Sequence, residues 1–160
     1  MLLASSSGTL SPMKHRVGII GCGNISDTYL GIGAKFASLE VIAVADMDTA
    51  KRDMQAAKYG VWALEIDALL ASDVDAIVNL TPPAAHASVT MQALEAGKHV
   101  YSEKPLAVSL EDGWAIRDLR CKRVCESVAP RTRFSARVCK PRANCSSVAR
   151  LARRSTPSRR

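Results

Sequence analysis

A doubly wound, parallel α/β sheet is predicted for this 160-residue chain by three observations. Short apolar runs rich in Val and Ile alternate with amphipathic stretches from Arg16 to about Arg120, the pattern of successive βαβ units. The run Ala76 to Leu80 is apolar nearly throughout, as a strand covered on both faces by helices requires. The first run opens into a glycine-rich turn, Gly21-Cys22-Gly23-Asn24-Ile25-Ser26, ahead of a helical pattern. Strand, glycine turn and helix in that order make the sheet Rossmann-type.

Val17 to Ile20 form the first strand. Gly21 permits the tight turn after it, and the missing side chain at Gly23 lets backbone N–H groups approach a pyrophosphate at the positive end of the next helix. The third small position of G-x-G-x-x-G is Ser26, which fits if the helix still packs closely on the strand. That helix is predicted over Asn24 to about Ala37, with Ile25, Tyr29, Leu30 and Phe36 partly inward; Gly31 and Gly33 weaken it by roughly 1 kcal/mol each relative to alanine. Leu39 to Ala45 form a second strand ending in Asp46-Met47-Asp48, where Asp48 caps a helix over Thr49 to Tyr59 and Gly60 stops it. Val61 to Leu64 are a short third strand, and Ile66 to Leu70 a small helix. Ala76 to Leu80 make the fourth strand, broken by Pro82 and Pro83. A helix from about Ala84 to Ala96, closed by Gly97, feeds the strand His99 to Ser102. Glu103-Lys104-Pro105 follow that strand, and a last helix runs from near Ser109 to about Arg120.

The net charge of +7 belongs to the end of the chain. Residues 1–120 carry 10 Lys and Arg against 14 Asp and Glu, a balance of −4, whereas 121–160 carry 12 against one, or +11. The globular part therefore gives no electrostatic reason to expect a nucleic-acid or membrane partner. Five cysteines, Cys22, Cys121, Cys125, Cys139 and Cys145, show no disulfide-scaffold spacing. The last four have gaps too irregular for a zinc site, and His15, His86 and His99 lie elsewhere, so no metal is expected. Residues 1–13 lack the organisation of a secretory leader and are expected to be a disordered extension, with a cytoplasmic location.

Open α/β sheets bind ligands outside the carboxyl ends of their strands, where Gly21 to Ser26, Asp46, Thr81 to Pro83 and Glu103 to Pro105 all fall. Asp46 lies about 20 residues beyond the glycine turn, where a carboxylate accepts hydrogen bonds from an adenosine ribose and repels a 2′-phosphate. That favours NAD, while Lys51 and Arg52 nearby keep NADP open. A helix-capping role for Asp46 competes, but Asp48 already fills it. Thr81-Pro82-Pro83 removes two backbone donors, holds the chain extended and leaves Thr81 free to hydrogen-bond a ligand; a plain strand-to-helix turn would look similar. His86 falls in the first turn of the next helix, and its ordinary reading is a surface histidine. Lys104, fixed between Glu103 and Pro105, is placed to hydrogen-bond a substrate hydroxyl or carbonyl and polarise it for hydride transfer. Its ordinary reading is a solvated pair with Glu103.

In this order, Gly21-Cys22-Gly23-Asn24-Ile25-Ser26, Ala45-Asp46-Met47-Asp48, Asn79-Leu80-Thr81-Pro82-Pro83, His86 and Glu103-Lys104-Pro105 resemble the Gfo/Idh/MocA oxidoreductases over residues 14 to about 120. The resemblance implies an NAD(P)-dependent dehydrogenase acting on CH–OH groups of a sugar, inositol or related polyol. It implies that Gly21, Gly23, Asn24, Ile25, Asp46, Thr81, Pro82, His86, Glu103, Lys104 and Pro105 bind cofactor, and that Lys104 is also the catalytic contact to substrate. It also implies a second α/β domain that covers the nicotinamide, and the text after Arg120 has no such character.

The expected organisation is a leader over 1–13, an NAD(P)-binding domain over 14–120 and an irregular basic tail of low order over 121–160, with the substrate domain absent and turnover weak or nil. For the tail, a one-base reading-frame slip near Lys122 is favoured over a functional basic segment. Glu126 to Ser146 admit codons that, slipped, read VGCAPDTFLGAGLQTAREL and a further Leu, which looks like a strand, a turn and an amphipathic helix. The sixth strand of the sheet would go with such a slip. Two alternatives remain: a noncatalytic NAD(P)-binding module or pseudoenzyme, and, less favoured, a nucleic-acid protein using Arg131, Arg133, Arg137, Arg153, Arg154, Arg159 and Arg160 with only Phe134 for stacking.

Overall fold

The computed structural model describes residues 14–33, 35–123 and 127–128. The leader over 1–13, the tail arginines, Phe134 and Cys125, Cys139 and Cys145 lie outside the described residues. The elements are β1 (His15–Ile20), α1 (Ser26–Gly33), β2 (Leu39–Ala45), α2 (Thr49–Tyr59), β3 (Trp62–Leu64), α3 (Ile66–Ala71), β4 (Ala76–Asn79), α4 (Pro83–Glu95), β5 (His99–Ser102), α5 (Leu110–Arg123) and β6 (Ser127–Val128). The strands lie in one parallel sheet in the order β3-β2-β1-β4-β5-β6. The chain winds outward from β1 in one direction and returns to β4 for the other, so the connections after these two paired strands leave toward opposite faces, the switch point at which open α/β sheets form a ligand crevice.

Register puts the candidate loops on one level. Ile20 pairs with Ala45 on one side and Asn79 on the other, and Asn79 pairs with Ser102. The residues that leave the sheet next, Gly21, Asp46, Leu80 and Glu103, therefore emerge together along one rim.

Both faces of the sheet are covered. Ile20, Ala43, Ala45 and Ile77 pack with Leu69, Ala87, Leu94 and Ile116 of α3, α4 and α5. Ile19 and Val44, pointing the other way, pack with Leu30 of α1 and Ala56 of α2. Each Val, Leu or Ile among them contributes roughly 1.5–3 kcal/mol on burial, which is why successive strand positions are apolar. The α2 boundaries form as expected: Asp48 accepts a hydrogen bond from the Lys51 amide (3.2 Å), and Gly60, at φ 67°, turns the chain out of the helix.

The two ends of the domain differ most from expectation, the other boundaries shifting by one or two residues. The helix predicted over Asn24 to Ala37 spans only Ser26–Gly33, so the helical period stops applying before Phe36, which is 52% exposed. Ile25 precedes the helix and is 43% exposed, whereas Leu30 is buried and Tyr29 half-buried. At the other end, α5 continues to Arg123 and Ser127–Val128 pair with Val100 and Tyr101 of β5, so the folded part runs past residue 120 and a two-residue sixth strand is present. A ladder is made by backbone groups, so a short stretch with a β-branched residue suffices to extend it. Among the described residues no helix is long and apolar enough to cross a membrane, and no group of three or more His, Cys, Asp or Glu could hold a metal ion.

Candidate functional site

Gly21 turns the chain at φ 107°, a conformation side chains rarely adopt, and its amide donates to the Ala45 carbonyl at 2.9 Å. The turn passes so close to the end of β4 that a Cβ there would lie 2.6 Å from the Leu80 carbonyl carbon. At Gly23 a Cβ would meet nothing within 4 Å. Packing therefore requires glycine at the first position, whereas at the second the empty space lies outside the turn. Ser26 is fully buried and its hydroxyl donates to the Gly23 carbonyl at 2.6 Å, which lets a serine take the third position.

Among the described residues, the amides of Gly23, Asn24 and Ile25 have no protein acceptor. Three consecutive free N–H groups at the start of a helix, beside open space, are a cradle for an anion. Such a cradle fits the pyrophosphate of a dinucleotide.

Asp46 links this turn to the next. Its Oδ2 accepts the Cys22 amide at 2.6 Å and its Oδ1 the Asp48 amide at 2.8 Å. Each carboxylate oxygen has a second lone pair, so capacity for ribose hydroxyls remains. The cations nearby are already engaged: Lys51 with Asp48 at 3.0 Å, and Arg52 with Asp53 at 2.8 Å and with Glu65.

Cys22 is 3% exposed, and burial first, then the Asp46 charge, push its thiol up from the usual 9.0 to about 11. A raised folded-state value favours the protonated thiol, so this contribution is fully present below pH 9 and is lost as pH rises toward 11. Unfolding free energy is expected to drop by about 2–3 kcal/mol across that interval, a loss that a Cys22→Ala protein escapes when both are unfolded in urea at each pH.

At the end of β4, Asn79 is a buried amide with every valence used. It donates to the His86 carbonyl (3.0 Å) and Thr90 Oγ1 (3.1 Å), and accepts from the Thr81 amide (3.2 Å) and hydroxyl (2.7 Å). The Thr81 hydroxyl proton is therefore committed to Asn79, and toward a ligand Thr81 offers acceptor capacity rather than a free donor. Pro82 precedes α4 in extended conformation and Pro83 occupies its first turn, where a missing N–H costs nothing.

His86 is not on the surface. It is 1% exposed, with Nε2 at 2.6 Å from the Thr81 carbonyl and Nδ1 at 2.6 Å from the Pro105 carbonyl. Its ring nitrogens are spent on two loops of the rim, so its contribution to the site is their relative position. The Lys104–Pro105 peptide bond is cis. Lys104 is exposed, and among the described residues its ammonium has no partner; the expected solvated pair with Glu103 does not form. The Glu103 carboxylate instead accepts the Tyr29 hydroxyl and the Lys104 backbone N–H, the latter at 3.1 Å.

The structure thus brings Gly21 to Ile25, Asp46, Thr81, Pro82 and Glu103 to Pro105 to one rim, with His86 beneath. Sequence reasoning missed Asn79 and Tyr29. An amide closing an apolar strand was a visible signal for Asn79; nothing local marked Tyr29, whose partner lies 74 residues away.

A family model described as an oxidoreductase family with an NAD-binding Rossmann fold matches residues 15–126. Inositol 2-dehydrogenase of Rhizobium meliloti (strain 1021) is 34% identical over 100 residues, covering 62% of this chain and 30% of that protein. A 3-ketoreductase of Actinomadura kijaniata, solved with NADP and TDP-benzene, is 30% identical with a TM-score of 0.70 over 73% of this chain and 37% of that one. A dehydrogenase of Chromobacterium violaceum, solved with NADH and UDP-GlcNAcA, is 29% identical with a TM-score of 0.71 over 75% of this chain and 36% of that one. The chain spans about a third of the length of these proteins.

Proposed function

The chain belongs to the Gfo/Idh/MocA oxidoreductase family, and from that premise we propose that it is the nucleotide-binding part of a dehydrogenase that takes NAD in preference to NADP and presents Lys104 to a sugar, inositol or related polyol. The observation that carries this reading is the shared rim: among the described residues, three unpaired amides of the glycine turn and an unpaired lysine ammonium stand on loops that leave β1 and β5, one strand apart in the same parallel sheet, at one level.

Bound nicotinamide would supply the hydride acceptor or donor. The chain's own residues do the rest. Gly23, Asn24 and Ile25 hold the pyrophosphate through their N–H groups, and Asp46 accepts from the ribose. Thr81 and Pro82 border the nicotinamide path. Lys104 hydrogen-bonds the substrate oxygen and supports the negative charge that builds on it when a carbonyl is reduced. Free thiols such as Cys22 suit a cytoplasmic location.

The preference for NAD follows from committed charges. A 2′-phosphate arriving at this turn would meet the Asp46 carboxylate, while Lys51 and Arg52 are already neutralised by Asp48, Asp53 and Glu65. NAD and NADP are titrated against the 160-residue protein and an Asp46→Ala variant, reading binding because the ribose contact is a binding contact. The variant is expected to lose at least about tenfold in NAD affinity, from the lost hydrogen bonds to a charged group, and less in NADP affinity. Unchanged NAD affinity would remove Asp46 from the site.

A further inference from the structure

Lys104 lies between two residues that are each held from a different side of the crevice. The Pro105 carbonyl is bonded by His86 of α4. The Glu103 carboxylate is bonded by the Tyr29 hydroxyl, from α1. That second anchor belongs to the helix whose opening turn carries the unpaired Gly23, Asn24 and Ile25 amides. Resting on the reading of Lys104 given above, we propose that Tyr29 is a positioning residue for Lys104: through the Glu103 carboxylate, its hydroxyl ties the lysine turn to the helix that receives the cofactor phosphates.

Several features fit this role. Glu103 uses one oxygen for Tyr29 and the other for the Lys104 backbone N–H, so one carboxylate fixes both the turn and its link to α1. With Glu103 so engaged, the Lys104 ammonium is left for a ligand. The phenol is backed by Tyr101, whose hydroxyl is 3.4 Å away and whose ring centroid is 6.0 Å away at 52°. Burial, then the hydrogen bond to Glu103, hold the Tyr29 phenol well above its usual range, so it stays the donor. On top of the sheet register that brings the two loops level, this one side-chain contact ties the lysine turn directly to α1.

The test compares ADP-ribose, which carries only the phosphate and ribose part, with NAD, which adds nicotinamide. Reactivity of Lys104 toward trinitrobenzenesulfonate is mapped by peptide mass spectrometry in the wild-type 160-residue protein, Tyr29→Phe and Glu103→Gln, each without ligand and with either compound. In the wild type, NAD is expected to shield Lys104 and ADP-ribose to leave it reactive. Tyr29→Phe should bind ADP-ribose within about twofold of wild type yet show about tenfold less shielding by NAD, the scale of one hydrogen bond to a charged group. Glu103→Gln, which keeps one oxygen for two donors and so loses one of the two bonds, should show shielding between that of wild type and that of Tyr29→Phe.

Equal shielding in wild type and Tyr29→Phe overturns the positioning role. So does loss of ADP-ribose binding in the variant, because the hydroxyl would then hold the fold rather than the turn. Wild-type protein that binds NAD without shielding Lys104 overturns the placement of the lysine, and wild-type protein that binds no NAD overturns the cofactor reading itself; either takes this proposal with it.

Discussion

A Gly21→Ala protein is expected to be largely unfolded, or folded with no measurable NAD binding. The residue sits at φ 107°, and an alanine there carries backbone strain of about 1–3 kcal/mol. The added methyl would also lie 2.6 Å from the Leu80 carbonyl carbon, 2.7 Å from its oxygen and 2.8 Å from the Thr81 nitrogen. These are backbone atoms at the end of β4, so no rotamer change relieves the overlap, and overpacking of this kind adds about 1–3 kcal/mol. The total is a large part of the roughly 5–15 kcal/mol that holds a domain together. Gly23→Ala supplies the contrast, since its methyl meets no protein atom and stability should change by less than about 1 kcal/mol, the helix-turn propensity scale. NAD affinity should nonetheless fall, because the methyl occupies the space a pyrophosphate would approach through. Urea unfolding and NAD titration of the two variants separate the roles, and a stable Gly21→Ala protein with normal affinity would refute the close approach of β1 and β4 loops.

What could be read beforehand divides by the range of the interaction. The glycine turn and the ends of α2 are written in local chemistry: a φ only glycine tolerates, an aspartate that caps, a glycine that turns the chain out. Strand positions were legible because two covered faces demand unbroken apolar runs, with Ile19 and Ile20 entering opposite cores. The end of α1 was not, because Gly31 and Gly33 weaken a helix without stating where it stops, and Phe36 was carried inward by a period that no longer applied. The site shows the same division. The residues on the rim follow from the strand ends, but their side-chain commitments do not. The sequence names Glu103 and His86 as site residues without naming what they bond: Glu103 binds Tyr29, 74 residues away, and His86 bridges the Thr81 and Pro105 carbonyls. Contacts between distant segments depend on the register that brings Ile20, Ala45, Asn79 and Ser102 level, which only the assembled sheet supplies.

Replacement of His86 by alanine is the second change expected to have a large effect, and it acts from beneath the site. The ring is 1% exposed, so its removal leaves a cavity and strands the Thr81 and Pro105 carbonyls, both at 2.6 Å from it. Loss of the buried ring's packing together with two part-buried hydrogen bonds of about 0.5–1.5 kcal/mol each should cost on the order of 3–5 kcal/mol. Glutamine, whose amide has two N–H groups but a different reach, should recover part of the loss. Beyond stability, the two carbonyls belong to the turns that carry Thr81 and Lys104, so their separation is expected to loosen. Amide hydrogen exchange should rise at Thr81, Lys104 and Leu106 more than at β1 or β2, whose pairing does not involve the ring. A change in unfolding free energy below about 1 kcal/mol, no more than an ordinary surface hydrogen bond, would mean the imidazole holds neither loop.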